Sequence, residues 1–141
     1  MTDSPLVGIV VVSHSSRLAE GVAELAGQMA GDGVALIPVG GGPDGGLGTD
    51  ADRIGRALVD ADRGSGVVVI GDLGSAILAT EAAIEALDAV KPGSAGRIRI
   101  SSGPIAEGAV VAAVQASIGQ TIDEVLAAAD AARDLDKGVG R

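Results

Sequence analysis

The sequence predicts a single-domain α/β protein, a parallel sheet of about four strands with helices on both faces. Three observations carry that prediction. Short β-branched runs alternate with stretches of helical spacing along the 141 residues. The runs are continuously apolar, as in strands buried on both faces. Each ends in glycine, serine or aspartate before the next helical stretch begins, which is where a strand turns into a crossover helix.

Leu6–Val12 is the first such run. From Ser16 the period changes, and Leu18, Val22, Leu25, Ala26 and Met29 follow helical spacing until Gly31 and Gly33. Val34–Val39 is a second strand, with Pro38 near its end. The stretch "GGGPDGGLG" is a loop, and Thr49 or Asp50 then caps a helix through about Asp62, with Ile54 and Leu58 on one face. Gly66–Ile70 is a third strand, ending in "GDLGSA". Ile77, Ile84 and Leu87 mark the helix that follows, and Lys91-Pro92-Gly93 stops it. Arg97–Ile100 is a weaker fourth strand. Ala106–Ser117 is helical through Val110, Val111 and Val114. Thr121 and Glu124 form a capping box for a last helix carrying Ile122, Val125, Leu126 and Ala129. The domain is expected to span residues 5–135, with 136–141 a flexible tail.

Composition narrows the function. The chain has no Phe, Tyr or Trp and contains 23 glycines, so its core is built from Val, Ile, Leu and Ala with close backbone approach. A net charge of −9 argues against nucleic acid and against an anionic membrane surface, and favours a partner with a basic face. With no cysteine and one histidine, no metal site is expected. No run reaches the roughly 20 apolar residues of a membrane span. "MTDSP" lacks the layout of a signal peptide, so the cytoplasm is the expected location.

In parallel α/β sheets, ligands gather at the C-terminal strand ends. Those ends hold His14, Thr49, Asp72, Ser75 and Glu107. His14 is the only imidazole, and it stands between a strand end and a helix start. Position alone supports two readings: a histidine satisfied in a turn, and a nucleophile for phosphorus. In the second, Ser15 and Ser16 cap the helix, whose first-turn amides hold an anion beside the ring. Asp72 can orient the imidazole and fix its tautomer, and Ser75 can cap the third helix. Glu107 reads as a first-turn helix charge, and Arg17 either as a phosphoryl contact or as a solvated residue. The glycine loop formally contains Gly40-x-Gly42-x-x-Gly45. Pro43 interrupts it and no helix opens at Gly45, so it reads instead as a flexible flap that delivers Thr49.

Four segments taken together, "IVVVSHSSRLAEGVAELAGQM", "GTDADRI", "GDLGSAILATEAAIEAL" and "GPIAEGAVVAAV", resemble the phosphotransferase subunits of phosphoenolpyruvate-dependent dihydroxyacetone kinases. Those subunits are a branch of the mannose-type EIIA family. The resemblance runs from Leu6 to about Leu126. It implies a flavodoxin-like three-layer fold and a homodimer. It implies a phosphocarrier in which His14 receives a phosphoryl group from HPr and passes it to ADP on the nucleotide-binding subunit of the kinase. Asp72 matches the family's carboxylate beside the histidine, and Ser15, Ser16, Thr49 and Ser75 lie in motifs implied to hold phosphate. The implied reaction uses Nε2, the ring end free to reach another protein. No cofactor sits on this subunit, and any Mg²⁺ travels with the partner's nucleotide. Two other readings stay open: an EIIA that serves a sugar permease, and a non-enzymatic domain for a nucleotide or small anion.

Overall fold

The computed structural model describes residues 4–140. Met1–Asp3, most of the segment read for a leader, and Arg141 of the expected tail lie outside the described residues. Four strands, β1 (Gly8–Ser13), β2 (Leu36–Gly40), β3 (Val67–Gly71) and β4 (Ile98–Ser101), form one parallel sheet in the order β2-β1-β3-β4. The helices are α1 (Ser16–Ala30), α2 (Ala51–Ala61), α3 (Gly74–Val90), α4 (Ile105–Ser117) and α5 (Ile122–Ala131). Short 3₁₀ turns precede β4 and follow α5.

The order puts β1 and β3 in the middle, where both faces are covered. All six residues of β1 are buried, and that is why its sequence is unbroken by polar residues until Ser13. One apolar layer joins Ile9, Val11, Val68 and Ile70 to α1, α4 and α5, and the other joins Val10, Val12, Val67 and Val69 to α2 and α3. Successive side chains of each strand therefore feed opposite layers. Without aromatic rings, the filling is done by closeness. Ala109, Ala112, Ala113 and Ala116 are fully buried on α4 and let its backbone lie close to the sheet. Ile54 and Leu58 fill the other layer, each contributing about 1.5–3 kcal/mol by leaving water.

The strands sit one or two residues later than the sequence pattern suggests. β2 begins at Leu36, and Ala35 only supplies a carbonyl to the Ile9 amide, 2.8 Å away. Pro38 lies mid-strand, which is tolerated because β2 is an edge. On α1 the helical spacing does not mark the buried stripe as expected. Ala19, Val22 and Ala26 face the core, whereas Leu18, Leu25 and Met29 stand largely in solvent. Asp50, not Thr49, caps α2, its Oδ1 accepting from the amides of Asp52 and Arg53. The capping box of Thr121 and Glu124 is formed as expected. Leu135 borders an apolar groove with Leu25, Val110 and Val111, and Lys137 pairs with Glu107 of α4 at 2.6 Å. Among the described residues, no helix is long and apolar enough to cross a membrane.

Candidate active site

The site forms where the two central strands end. β1 and β3 are paired with Val12 opposite Gly71, so the residues that follow each strand, His14 and Asp72, emerge side by side. The Asp72 amide continues the ladder to the Val12 carbonyl at 3.1 Å, which fixes the carboxylate relative to β1.

Asp72 then organises the turn. Its Oδ2 accepts from the Ser13 hydroxyl at 2.7 Å and from the His14 amide at 3.0 Å. Its Oδ1 accepts from the Leu73 amide at 2.8 Å and lies 2.9 Å from His14 Nδ1. Burial pushes the Asp72 carboxyl up. The hydrogen bonds from Ser13, His14 and Leu73 outweigh it and hold the group below the usual carboxylate range. Asp72 is therefore an anion at neutral pH, able only to accept, and Nδ1 of His14 must carry the proton. In the tautomer that carries its proton there, the ring's lone pair is on Nε2, the outer end. There it meets the Ser75 hydroxyl in close contact. The His14 side chain is 25 % exposed and that of Asp72 12 %, so the ring is reachable while its partner is shielded.

Ser13 is the residue that sequence reasoning missed. It is fully buried, and its hydroxyl both donates to Asp72 and accepts from the Ser15 amide at 3.0 Å. The available signal was a lone polar residue closing an otherwise apolar strand. Ser15 caps α1, accepting from the Leu18 amide at 3.2 Å. α1 thus starts two residues after His14, with its positive end beside the ring. Ser16 is the exposed first residue of that helix.

Ser75 does not cap α3 as expected. The cap position is Leu73, with no side-chain cap bond, which leaves the Ser75 hydroxyl for the imidazole. Thr49 is half-buried beside Gly48, whose amide donates to the His14 carbonyl at 2.9 Å. The loop preceding Thr49 is knit by its own bonds, Gly45 N to Gly42 O, Gly42 N to Gly46 O and Gly46 N to Asp44 Oδ1. Gly40 shows why glycine ends β2: a Cβ there would meet the Ser15 carbonyl oxygen and the Ser16 Cα at 2.5 Å. Arg53, also missed from sequence, donates from Nη2 to the Gly40 carbonyl and ties α2 to that strand end. Glu107 stands apart, paired with Lys137, whose hydrogen bond lowers its carboxyl from the ordinary value. Arg17 is exposed in the first turn of α1. No group of three or more His, Cys, Asp or Glu among the described residues is placed to hold a metal ion.

Comparison with known proteins points to one family. Residues 8–126 match the family described as PTS system fructose IIA component, EIIA-man. The phosphoryl donor subunit DhaM of the PEP-dependent dihydroxyacetone kinase of Escherichia coli K12 is 40% identical over 124 residues. That alignment covers 86% of this chain and 26% of that protein, so the chain spans about a quarter of its length. The corresponding subunit of dihydroxyacetone kinase 2 from Listeria innocua is 36% identical over 121 residues, covering 86% of this chain and 94% of that one. A crystal structure of a protein of unknown function superposes with a TM-score of 0.78 at 30% identity, covering 89% of this chain and 93% of the other. A sigma-54 interaction domain protein from Enterococcus faecalis shares the fold at 14% identity, with a TM-score of 0.67 and 93% of each chain covered. Placed beside the strand-end histidine and its carboxylate, these matches show that the chain belongs to the EIIA-man family.

Proposed function

We propose that the chain is a phosphohistidine carrier. It accepts a phosphoryl group from HPr on His14 Nε2 and passes it to ADP on the nucleotide-binding subunit of a dihydroxyacetone kinase. The observation that carries the reading is the Asp72 carboxylate on Nδ1, which leaves an outward lone pair on Nε2.

In the first step the Nε2 lone pair attacks phosphorus in line. The Nε2–P bond forms, the bond from phosphorus to the donor's histidine nitrogen breaks, and that nitrogen leaves with the electron pair. The proton stays on Nδ1, and Asp72 stabilises the positive charge the ring gains. Ser75 must release Nε2, and its hydroxyl is then free to donate to a phosphoryl oxygen. The start of α1 after Ser15 and Ser16, together with Thr49, supplies further donors for those oxygens. In the second step an oxygen of the ADP β-phosphate attacks, and Nε2 leaves with the pair it had shared. Positioning and charge account for the catalysis on this side. This subunit needs no bound cofactor, since Mg²⁺ accompanies the nucleotide on its partner. The homodimer and the cytoplasmic setting belong to the same proposal, as does the acidic surface, which suits a basic HPr face.

Support for the acceptor comes from the relatives, which are named as phosphoryl donor subunits of PEP-dependent dihydroxyacetone kinases. The test is intact mass after incubation with phosphoenolpyruvate, enzyme I and HPr. A gain of one acid-labile phosphoryl group is expected, absent in His14→Ala, which should fold normally. Adding the ADP-loaded kinase subunit should discharge the group and yield ATP. No gain with a donor known to be active defeats the reading, and a stable phosphoprotein that ADP-loaded kinase cannot discharge moves the acceptor to a sugar permease.

A further inference from the structure

The edge strand β2 is tied to the α2 region at both ends by an arginine. Arg63, two residues after α2, donates from Nη1 to the Gly33 carbonyl at 3.4 Å, three residues before the strand begins. Arg53, in the first turn of α2, donates from Nη2 to the Gly40 carbonyl, where the strand ends. The two bonds are alike in kind and differ in what stands beside them. A Cβ at Gly33 would meet only the Leu6 side chain, at 3.5 Å. A Cβ at Gly40 would lie 2.5 Å from the Ser15 carbonyl oxygen and 2.6 Å from the Ser16 nitrogen. The start of α1 therefore rests on Gly40, backbone against backbone. Gly40 pairs with Ser13 on one side and has no strand on the other, so the guanidinium supplies the restraint that a second neighbouring strand would give. Gly40 also opens the loop whose Gly48 amide returns to the His14 carbonyl at 2.9 Å. Arg53 is half-buried, and among the described residues no carboxylate pairs with it, although the chain carries a net charge of −9. Its side chain is bonded to the strand end alone.

We propose that Arg53 is a positioning residue for phosphoryl transfer. By holding the Gly40 carbonyl it fixes the seat of Ser15 and Ser16, and so the register between the first amides of α1 and His14 Nε2. This rests on the carrier reading above, in which those amides hold the phosphoryl oxygens. Arg53 acts through Gly40 and not on the reacting atoms. Donors fixed in advance are what stabilise charge in the transition state, and a misplacement of roughly 1 Å remote from the chemistry can cost on the order of 10²-fold. Removing one lateral restraint from a strand still paired on its other side should cost less than that.

The test follows single-turnover phosphorylation of the full chain by intact mass, with two donors, phosphorylated HPr and phosphoramidate. Each gives a limiting rate and a half-saturating donor concentration. Arg53→Met is compared with Arg53→Lys, which keeps a cation able to donate to the carbonyl, and with Arg63→Met, which frees the other end of β2. Arg53→Met is expected to lower the limiting rate about tenfold with both donors and to leave half-saturation by HPr unchanged. Arg53→Lys should recover part of that loss, and Arg63→Met should keep wild-type rates while lowering the unfolding midpoint. A wild-type limiting rate in Arg53→Met overturns the proposal. So does a loss seen with HPr alone or only in half-saturation, an equal loss in Arg63→Met, or no recovery by lysine. If Arg53→Met does not fold by circular dichroism, Arg53→Gln takes its place under the same criteria. A wild-type chain that takes no phosphoryl group from either donor defeats the carrier reading, whereas a silent Arg53 in a chain that is phosphorylated defeats this inference alone.

Discussion

The ends of β1 and β4 are built on the same plan. At β1, buried Ser13 donates to Asp72 at 2.7 Å, the next amide reaches the same carboxylate oxygen at 3.0 Å, and the amide after that reaches the serine hydroxyl at 3.0 Å. At β4, buried Ser101 donates to Asp130 of α5 at 2.6 Å, the Ser102 amide reaches the same oxygen at 2.9 Å, and the Gly103 amide reaches the Ser101 hydroxyl at 3.0 Å. Each set satisfies a strand end as the chain leaves the sheet for a helix. The difference lies in the middle residue and its surroundings. His14 places a ring nitrogen on the second oxygen of Asp72, whereas Ser102 places a hydroxyl against Nη2 of Arg133 at 3.0 Å. Arg133 also donates to the Asp130 carbonyl at 3.1 Å, which closes the β4 set upon itself. A turn device shared by two strand ends thus becomes a candidate reaction centre only where an imidazole joins it.

The sharpest way to break that comparison is to neutralise each carboxylate. Asp72→Asn should lower phosphoryl transfer on the order of 10²-fold or more, because an amide can present its N–H to the ring and favour the wrong tautomer. Asp130→Asn should leave the transfer rate at the wild-type level and lower only the unfolding midpoint. Equal losses of transfer would mean that both turns serve the chemistry. A second test moves the imidazole. In a His14→Ala background, Ser102→His should recover no phosphorylation by intact mass, because Arg133 stands against that position at 3.0 Å where His14 has Ser75. Third, Ser13→Ala and Ser101→Ala should each destabilise by about 1–3 kcal/mol, as each strips a bond from a carboxylate and leaves an amide short of its acceptor. Urea unfolding followed by far-UV circular dichroism measures this, and only the first should also slow transfer.

The smallest effect concerns a carboxylate at the opposite end of the sheet. Asp62, just before β3, is hydrogen-bonded by Arg97 at 2.7 and 2.9 Å and by the amides of Gly64 and Gly66. Arg97 first, with the Gly64 and Gly66 amides, lowers its pKa from 3.8 to about 2 against the opposing effect of burial. The stability this gives is present above pH 4 and lost as pH falls toward 2. Arg97 is 45 % exposed, so solvent screening reduces the contribution to about 1 kcal/mol. Asp62→Asn should flatten the stability curve between pH 4 and 2 by that amount.

The sheet and its helix order were legible because both are written locally, in period and in breakers. His14 and Asp72 were legible because strand ends converge in any parallel sheet, whatever fills them. The bonds among them were not. Ser13 and Asp72 are 59 residues apart, Ser75 and His14 61, and Arg53 and Gly40 13. No local pattern specifies which of several nearby hydroxyls a carboxylate or imidazole will take. Ser75 was expected to cap because it follows a glycine turn, but the helix starts one residue before it. The exposed stripe of α1 was misjudged for a related reason. Periodicity reports that a helix has an apolar face, and the closeness of the sheet decides that alanines rather than leucines fill it.

The aliphatic core has a spectroscopic consequence. With one imidazole and no Phe, Tyr or Trp, the carbon-bound ring protons of His14 stand alone in the aromatic window of a proton spectrum recorded in D₂O. Their positions follow its protonation, its tautomer and any group bonded to Nε2 without isotope label or mutation. The composition that hides the protein from ultraviolet fluorescence leaves one resonance pair that reports on one residue at every stage of a turnover.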